Sequence, residues 1–116
     1  MTVHTQHVSV LDACLGKAAR LETLIGYAPD SVVSKTILDK AAGTVTLFAF
    51  DRGQKLSEHT SPYDAIVLVT EGHTTVTIGG QPQGVSAGEI IIMPANVPHA
   101  VEADERFKML LIMVRG

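Results

Sequence analysis

The chain has 116 residues, 46% hydrophobic and 18% charged, with a formal net charge of −3. That is enough chain for one domain with a real core, too apolar for disorder, and without the basic face that nucleic acid requires. Apolar runs such as AIVLV and MLLIMV fall far short of the roughly 20 residues that cross a bilayer, and MTVHTQH carries neither the basic nor the apolar region of a secretion signal. No nucleic-acid or membrane partner and a cytoplasmic location are therefore expected.

In chain order, the first nine residues, with His4 and His7, read as a loose arm or an added edge strand. From Val10 to Ile25, residues Leu11, Leu15, Ala18, Leu21 and Ile25 recur at three- and four-residue spacing, which predicts the chain's one sizeable helix, weakened by Gly16. Cys14 is the only cysteine, which excludes an internal disulfide and a thiolate zinc cluster; it reads as a small buried apolar side chain. Residues 1–30 are thus an arm and a helix packing on the remainder of the chain.

After Pro29 the texture changes to short runs rich in β-branched residues. They are SVVSKTILD, TVTLFAFD, QKLSEHTS, DAIVLVT, HTTVTIGG, the weaker QPQGVS, EIIIMP, HAVEA and FKMLLIMV. Strands at intervals of roughly 8 to 12 residues predict an all-β sandwich or closed barrel over residues 31–116. Lys35 reads as a solvated edge charge. AIVLV and MLLIMV are apolar on both faces, so the outer face must be covered by the helix or by a second subunit, and a homodimer is expected.

Two spaced motifs lie within these strands. Gly53 is followed by QKLSE, His59, Thr60, Ser61, PYD, Ala65 and, six residues on, Gly72. Gly88 is followed by EIIIM, Pro94, Ala95, Asn96, Val97, Pro98 and His99. Together, in this order and at this separation, they resemble the two motifs of the cupin superfamily, in its small, single-domain conserved-barrel form. The resemblance runs from about Ser31 to Arg115 and implies a double-stranded β-helix barrel with one short N-terminal helix.

It also implies a site. Members that keep three histidines and a glutamate bind Zn, Ni, Mn, Fe or Cu; here Ser61 stands for the second histidine and Ala65 for the glutamate, leaving His59 and His99 as the metal candidates. Asn96 replaces a glycine at a turn, where asparagine is the next best residue at positive φ. Glu58 and Glu102 fall one step out of phase with the inward positions. Asp64 is the better third ligand, or a hydrogen-bond partner holding His59, and Ser61, Tyr63 and Met93 are candidates to line a pocket. Phe48, Phe50 and Met109 are better placed as core, and His73 as a surface or structural residue. Three readings of the pair stay open: two buried, satisfied imidazoles; a two-histidine site for one divalent metal; and a metal-free pocket using one histidine as acid or base. The functions they imply are a barrel binding a small organic molecule, with or without metal, a metal-free sensor, or a metal-dependent dioxygenase or isomerase. The sequence assigns no substrate or reaction.

Overall fold

The computed structural model describes residues 9–115. Ten strands make it up: β1 Ser9–Val10, β2 Val32–Lys40, β3 Gly43–Phe50, β4 Lys55–His59, β5 Asp64–Glu71, β6 His73–Ile78, β7 Gln81–Ser86, β8 Ile90–Met93, β9 His99–Glu102 and β10 Phe107–Val114. Every β-rich run of the sequence forms a strand. Those strands form two antiparallel sheets, one in the order β1-β2-β3-β10-β5-β8 and the other β4-β9-β6-β7.

The two sheets face each other across a core in which alternate residues of each strand meet. Phe50, Val67, Val69, Met93, Phe107 and Met109 come from the larger sheet, and Val76, Val85 and Val101 from the smaller. Phe50 and Phe107 are direct cross-strand partners, and their rings stack with centroids 4.5 Å apart. Such pairs are the unit of sheet stabilisation, so this one fixes the β3–β10 register. Pro82 is tolerated in β7 because that strand lies at a sheet edge and owes no N–H to a second neighbour.

The helix predicted over Val10–Ile25 does not form. A single 3-10 turn at Asp12–Cys14 and one helical turn, α1 at Leu21–Leu24, are all the helix there is between β1 and β2. Gly16 lies between them at φ 70, and Ile25 is already extended. The apolar spacing serves a different purpose. Leu11, Leu24, Ile25 and Tyr27 lie across the outer face of the larger sheet, against Val33, Ile37, Leu47, Ala49 and Leu110, while Leu15 stays 59% exposed. Helical periodicity and a segment draped on a sheet both bring apolar residues to one side, and without a cap or a run of strong helix formers the tertiary contacts decide.

A polar cluster fastens this segment. The Tyr27 hydroxyl donates to Glu71 Oε2, and Lys108, buried beneath α1, donates through Nζ to the Glu22 carbonyl at 3.2 Å and lies 3.7 Å from Glu71 Oε1. Burial, then the hydrogen bond to Glu71 and its charge, push the Tyr27 phenol well above its ordinary value. An acid whose folded value is raised contributes stability that is complete below its unfolded value, near 10, and is lost as the pH climbs toward the folded value. Tyr27→Phe should therefore lower stability by about 1 kcal/mol at pH 7, and denaturant curves should converge with wild type as the pH rises past about 10.

Backbone conformation limits one turn in particular. Gly72, between β5 and β6, has φ 78, and a Cβ there would meet the Arg106 carbonyl oxygen at 2.4 Å. Gly80, at φ 82 in the β6–β7 hairpin, has open space around it. Chemical denaturation should find Gly80→Ala destabilising by about 1 kcal/mol and Gly72→Ala by at least about 2 kcal/mol, the difference being the backbone clash.

Candidate functional site

His59, at the end of β4, and His99, at the start of β9, are direct cross-strand partners. The ladder does not run evenly to that point. Lys55 pairs with Glu102 and Leu56 with Val101, but the next pair is His59 with His99, so β4 uses one more residue than β9 over the same interval. This is a β-bulge, which re-aims the side chains beyond it. Leu56 packs on the barrel core, and simple alternation would put Glu58 on the same face. The extra residue puts His59 there instead, opposite His99 and in phase with the buried Val101 and Ala103.

The two rings meet at a centroid distance of 4.4 Å and an interplanar angle of 72°, with Nε2 of one 3.1 Å from Nε2 of the other. Each Nδ1 faces a backbone carbonyl: His59 that of Ser57 in the bulge at 2.8 Å, His99 that of Val97 at 3.1 Å. A carbonyl oxygen only accepts, so each Nδ1 carries the hydrogen and the neutral rings present bare Nε2 lone pairs to each other. Two lone pairs at that distance repel unless a cation lies between them, and only a proton or a metal ion fits. Two nitrogens 3.1 Å apart, each at the ~2.0–2.1 Å of a zinc–imidazole bond, would subtend roughly 100° at the ion, a normal angle between adjacent ligands. The donor set therefore fits a first-row metal, with two protein ligands. His99 is 3% exposed whereas His59 is exposed, so the pair sits at the mouth of the barrel.

The other predicted site residues build the surroundings. Asp64 is exposed at the start of β5, and its Oδ1 accepts from the Ala95 N–H at 2.8 Å. It does not hold His59, whose two ring nitrogens are engaged by Ser57 and His99. Ser61 lies past the end of β4; its Oγ accepts from the Tyr63 N–H at 3.2 Å, and its carbonyl accepts from the Asn96 N–H at 2.7 Å. Ser61 and Asp64 thus clamp the loop that leads into His99 onto the loop that comes after His59. Asn96 holds φ 66 in that loop.

Met93 is buried opposite Ala65 in the core, and Tyr63 is half-buried with the Arg115 guanidinium 5.9 Å from its ring centre. Glu58 and Glu102 are exposed, and His73 pairs its Nδ1 with Ser86 Oγ at 3.0 Å, away from the site. His4 and His7 lie outside the described residues. Among the described residues, no group of three or more His, Cys, Asp or Glu side chains converges to hold a metal. Two surface cavities, of about 230 and 220 Å³, lie elsewhere: one lined by Gly84, Glu89 and Ile91, the other by Leu38, Val45 and Ile112. The carbonyls of Ser57 and Val97, which set both tautomers, have no signature in the sequence.

The comparisons agree with the fold. A family model for the cupin domain matches residues 46–114, and the chain belongs to the cupin family. A conserved protein of unknown function from Streptococcus pyogenes is similar over 93% of this chain and 96% of its own, at 33% identity and a TM-score of 0.86. A cupin superfamily protein from Desulfitobacterium hafniense DCB-2 matches over 93% of this chain and 99% of its own, at 24% identity and a TM-score of 0.86. A cupin 2 conserved barrel domain protein from Leptotrichia buccalis is 40% identical over 82% of this chain, which spans 46% of that protein, with a TM-score of 0.79. No curated protein matches. No helix among the described residues is long and apolar enough to cross a membrane.

The clamp yields a direct test. Asp64→Ala should remove an exposed charge-assisted hydrogen bond and lower stability by about 1 kcal/mol, while Asp64→Asn, which keeps an accepting oxygen, should cost less than half of that. Equal losses in thermal melts would mean that Asp64 does not act through Ala95.

Proposed function

We propose that this cupin binds a divalent first-row transition metal through His59 Nε2 and His99 Nε2, and that a small organic molecule completes the coordination at the barrel mouth. One observation supports the reading: both Nδ1 atoms face carbonyl oxygens, and both Nε2 atoms face each other at 3.1 Å. Such a metal would act as a Lewis acid toward an oxygen-bearing ligand. The residues of this chain contribute orientation. The Ser57 and Val97 carbonyls fix the ring planes, as outer-shell partners of metal-bound histidine do elsewhere.

The replacements at Ser61 and Ala65 set the character of the site. With two imidazoles in place of three and no carboxylate, affinity is lower, more coordination positions are open, and the ion keeps its full dication charge. That combination suits an anionic or chelating small molecule, such as a carboxylate or a hydroxy acid, better than redox chemistry that depends on a tightly held ion. Structural neighbours include a predicted oxalate decarboxylase from Thermotoga maritima, at 14% identity, and KdgF from Halomonas sp., at 22%. At those identities they share the fold, and this barrel hosts unrelated chemistries. The lack of a third converging donor among the described residues favours a second reading, in which the pair holds one proton and the barrel binds its ligand without metal.

Equilibrium dialysis of untagged protein against Ni²⁺, Zn²⁺ and Cu²⁺ separates the two. Binding of one ion per subunit in the micromolar range is expected, strongest for Cu²⁺. His59→Ala and His99→Ala should each weaken it by more than the roughly 10–100-fold that loss of an outer partner costs. Uptake that neither substitution changes would overturn the site; absence of uptake at millimolar metal would leave the metal-free barrel.

A further inference from the structure

One cation at the barrel mouth belongs neither to the histidine pair nor to the clamp around it. Arg115 directly follows β10, and its N–H donates to the Ala42 carbonyl at 2.8 Å, so the ladder runs on to it past the end of the strand. Met113, two residues earlier, is cross-strand to the buried Ala65 of the core. Alternate residues share a face, so Arg115 stands on the core side of the larger sheet, the side that looks toward the smaller one. Asp39 is on that side too, through the cross-strand row Asp39, Thr44 and Met113. Lys35 and Lys108 are not: their cross-strand partners Leu47 and Ala49 belong to the outer cluster.

The Arg115 side chain, 34% exposed, is already oriented. Its Nη1 donates to the Lys40 carbonyl at 2.8 Å, and the guanidinium carbon lies 5.9 Å from the centre of the Tyr63 ring. Asp39 Oδ1 stands 3.8 Å from the same Nη1, which steers the cation without closing a hydrogen bond. Among the described residues, Nε and Nη2 have no hydrogen-bond partner. Those two donors form the edge of the fork that takes a carboxylate with two parallel bonds.

Tyr63 ties this cation to the histidines. It lies four residues after His59, and its N–H donates to Ser61 Oγ. The next residue, Asp64, is cross-strand to Val114 and holds the Ala95 N–H in the loop before His99. Arg115 and the His59–His99 pair therefore occupy the same end of the barrel, one on each sheet, and facing sheets lie about 10 Å apart. A ligand held at the imidazoles by one anionic end has a fixed guanidinium across the mouth for a second.

We propose that Arg115 is a specificity-determining residue, which takes the second carboxylate of a short dicarboxylic acid whose first carboxylate is held at His59 and His99. The assignment rests on the metal-site reading above and narrows its ligand from carboxylates in general to those with two acidic ends.

Calorimetric titration of the zinc-loaded full chain with glutarate and with pentanoate, the same carbon chain bearing one carboxylate, tests this. Glutarate should bind about 10-fold or more tightly, the gain of a partly exposed charge-assisted pair. Arg115→Gln should abolish that preference and leave pentanoate affinity and zinc uptake as in wild type, whereas Arg115→Lys, a point charge without the fork, should keep only part of it. His99→Ala should weaken the binding of both acids. A preference for glutarate that survives Arg115→Gln, or a wild-type protein that prefers neither acid, would overturn the proposal. Absence of zinc uptake would instead overturn the metal site, and the same ratio of affinities, measured on metal-free protein, would then decide the role of Arg115.

Discussion

The site depends on one extra residue in β4. Cross-strand pairing alone would bring Glu58 to the barrel face, because Leu56 is already there and strands alternate. The bulge between Leu56 and His59 reverses that phase. It places an imidazole opposite His99 and turns the Ser57 carbonyl toward His59 Nδ1. The same local irregularity therefore chooses the side chain, its direction and its tautomer. A bulge weakens the ladder where it falls, and at the end of a short edge strand that cost is small.

The opposite side of the pair is held by loops. The Ser61 carbonyl and the Asp64 carboxylate take the N–H groups of Asn96 and Ala95, so the turn before His99 is tied to the turn after His59. Ser61 and Asp64 thus act on the geometry of the pair without touching it. Ala65, where the family's glutamate would be, packs against Met93 in the core. The barrel interior below the pair is filled by Val67, Val101, Met109 and their neighbours, so the pair is reached only from the mouth, around the exposed His59.

The strands are legible in the sequence because their signals are local: β-branched alternation in TVTLFAF and HTTVTI, turn glycines between them, and the doubly apolar MLLIMV that becomes the central strand β10. The histidine pair is legible through motif spacing. The stretch Val10–Ile25 misleads, since Leu11, Leu24 and Ile25 satisfy a helical period while burying themselves on a sheet that lies far along the chain. No glycine or proline marks the bulge within Leu56–His59. Asp64 misleads for a related reason: its partner, Ala95, is 31 residues away and is met through the backbone, which leaves no mark on side-chain chemistry. What a sequence conceals here is the path of main-chain hydrogen bonds.

In the metal site proposed for this barrel, both imidazoles carry their hydrogen on Nδ1 and aim Nε2 at a common cation. Nitrogen-15 spectra of histidine-labelled, zinc-loaded protein read this atom by atom. His59 and His99 should both keep a protonated Nδ1 and both show an unprotonated, zinc-shifted Nε2. A protonated Nε2 with a bare Nδ1 in either ring would contradict it.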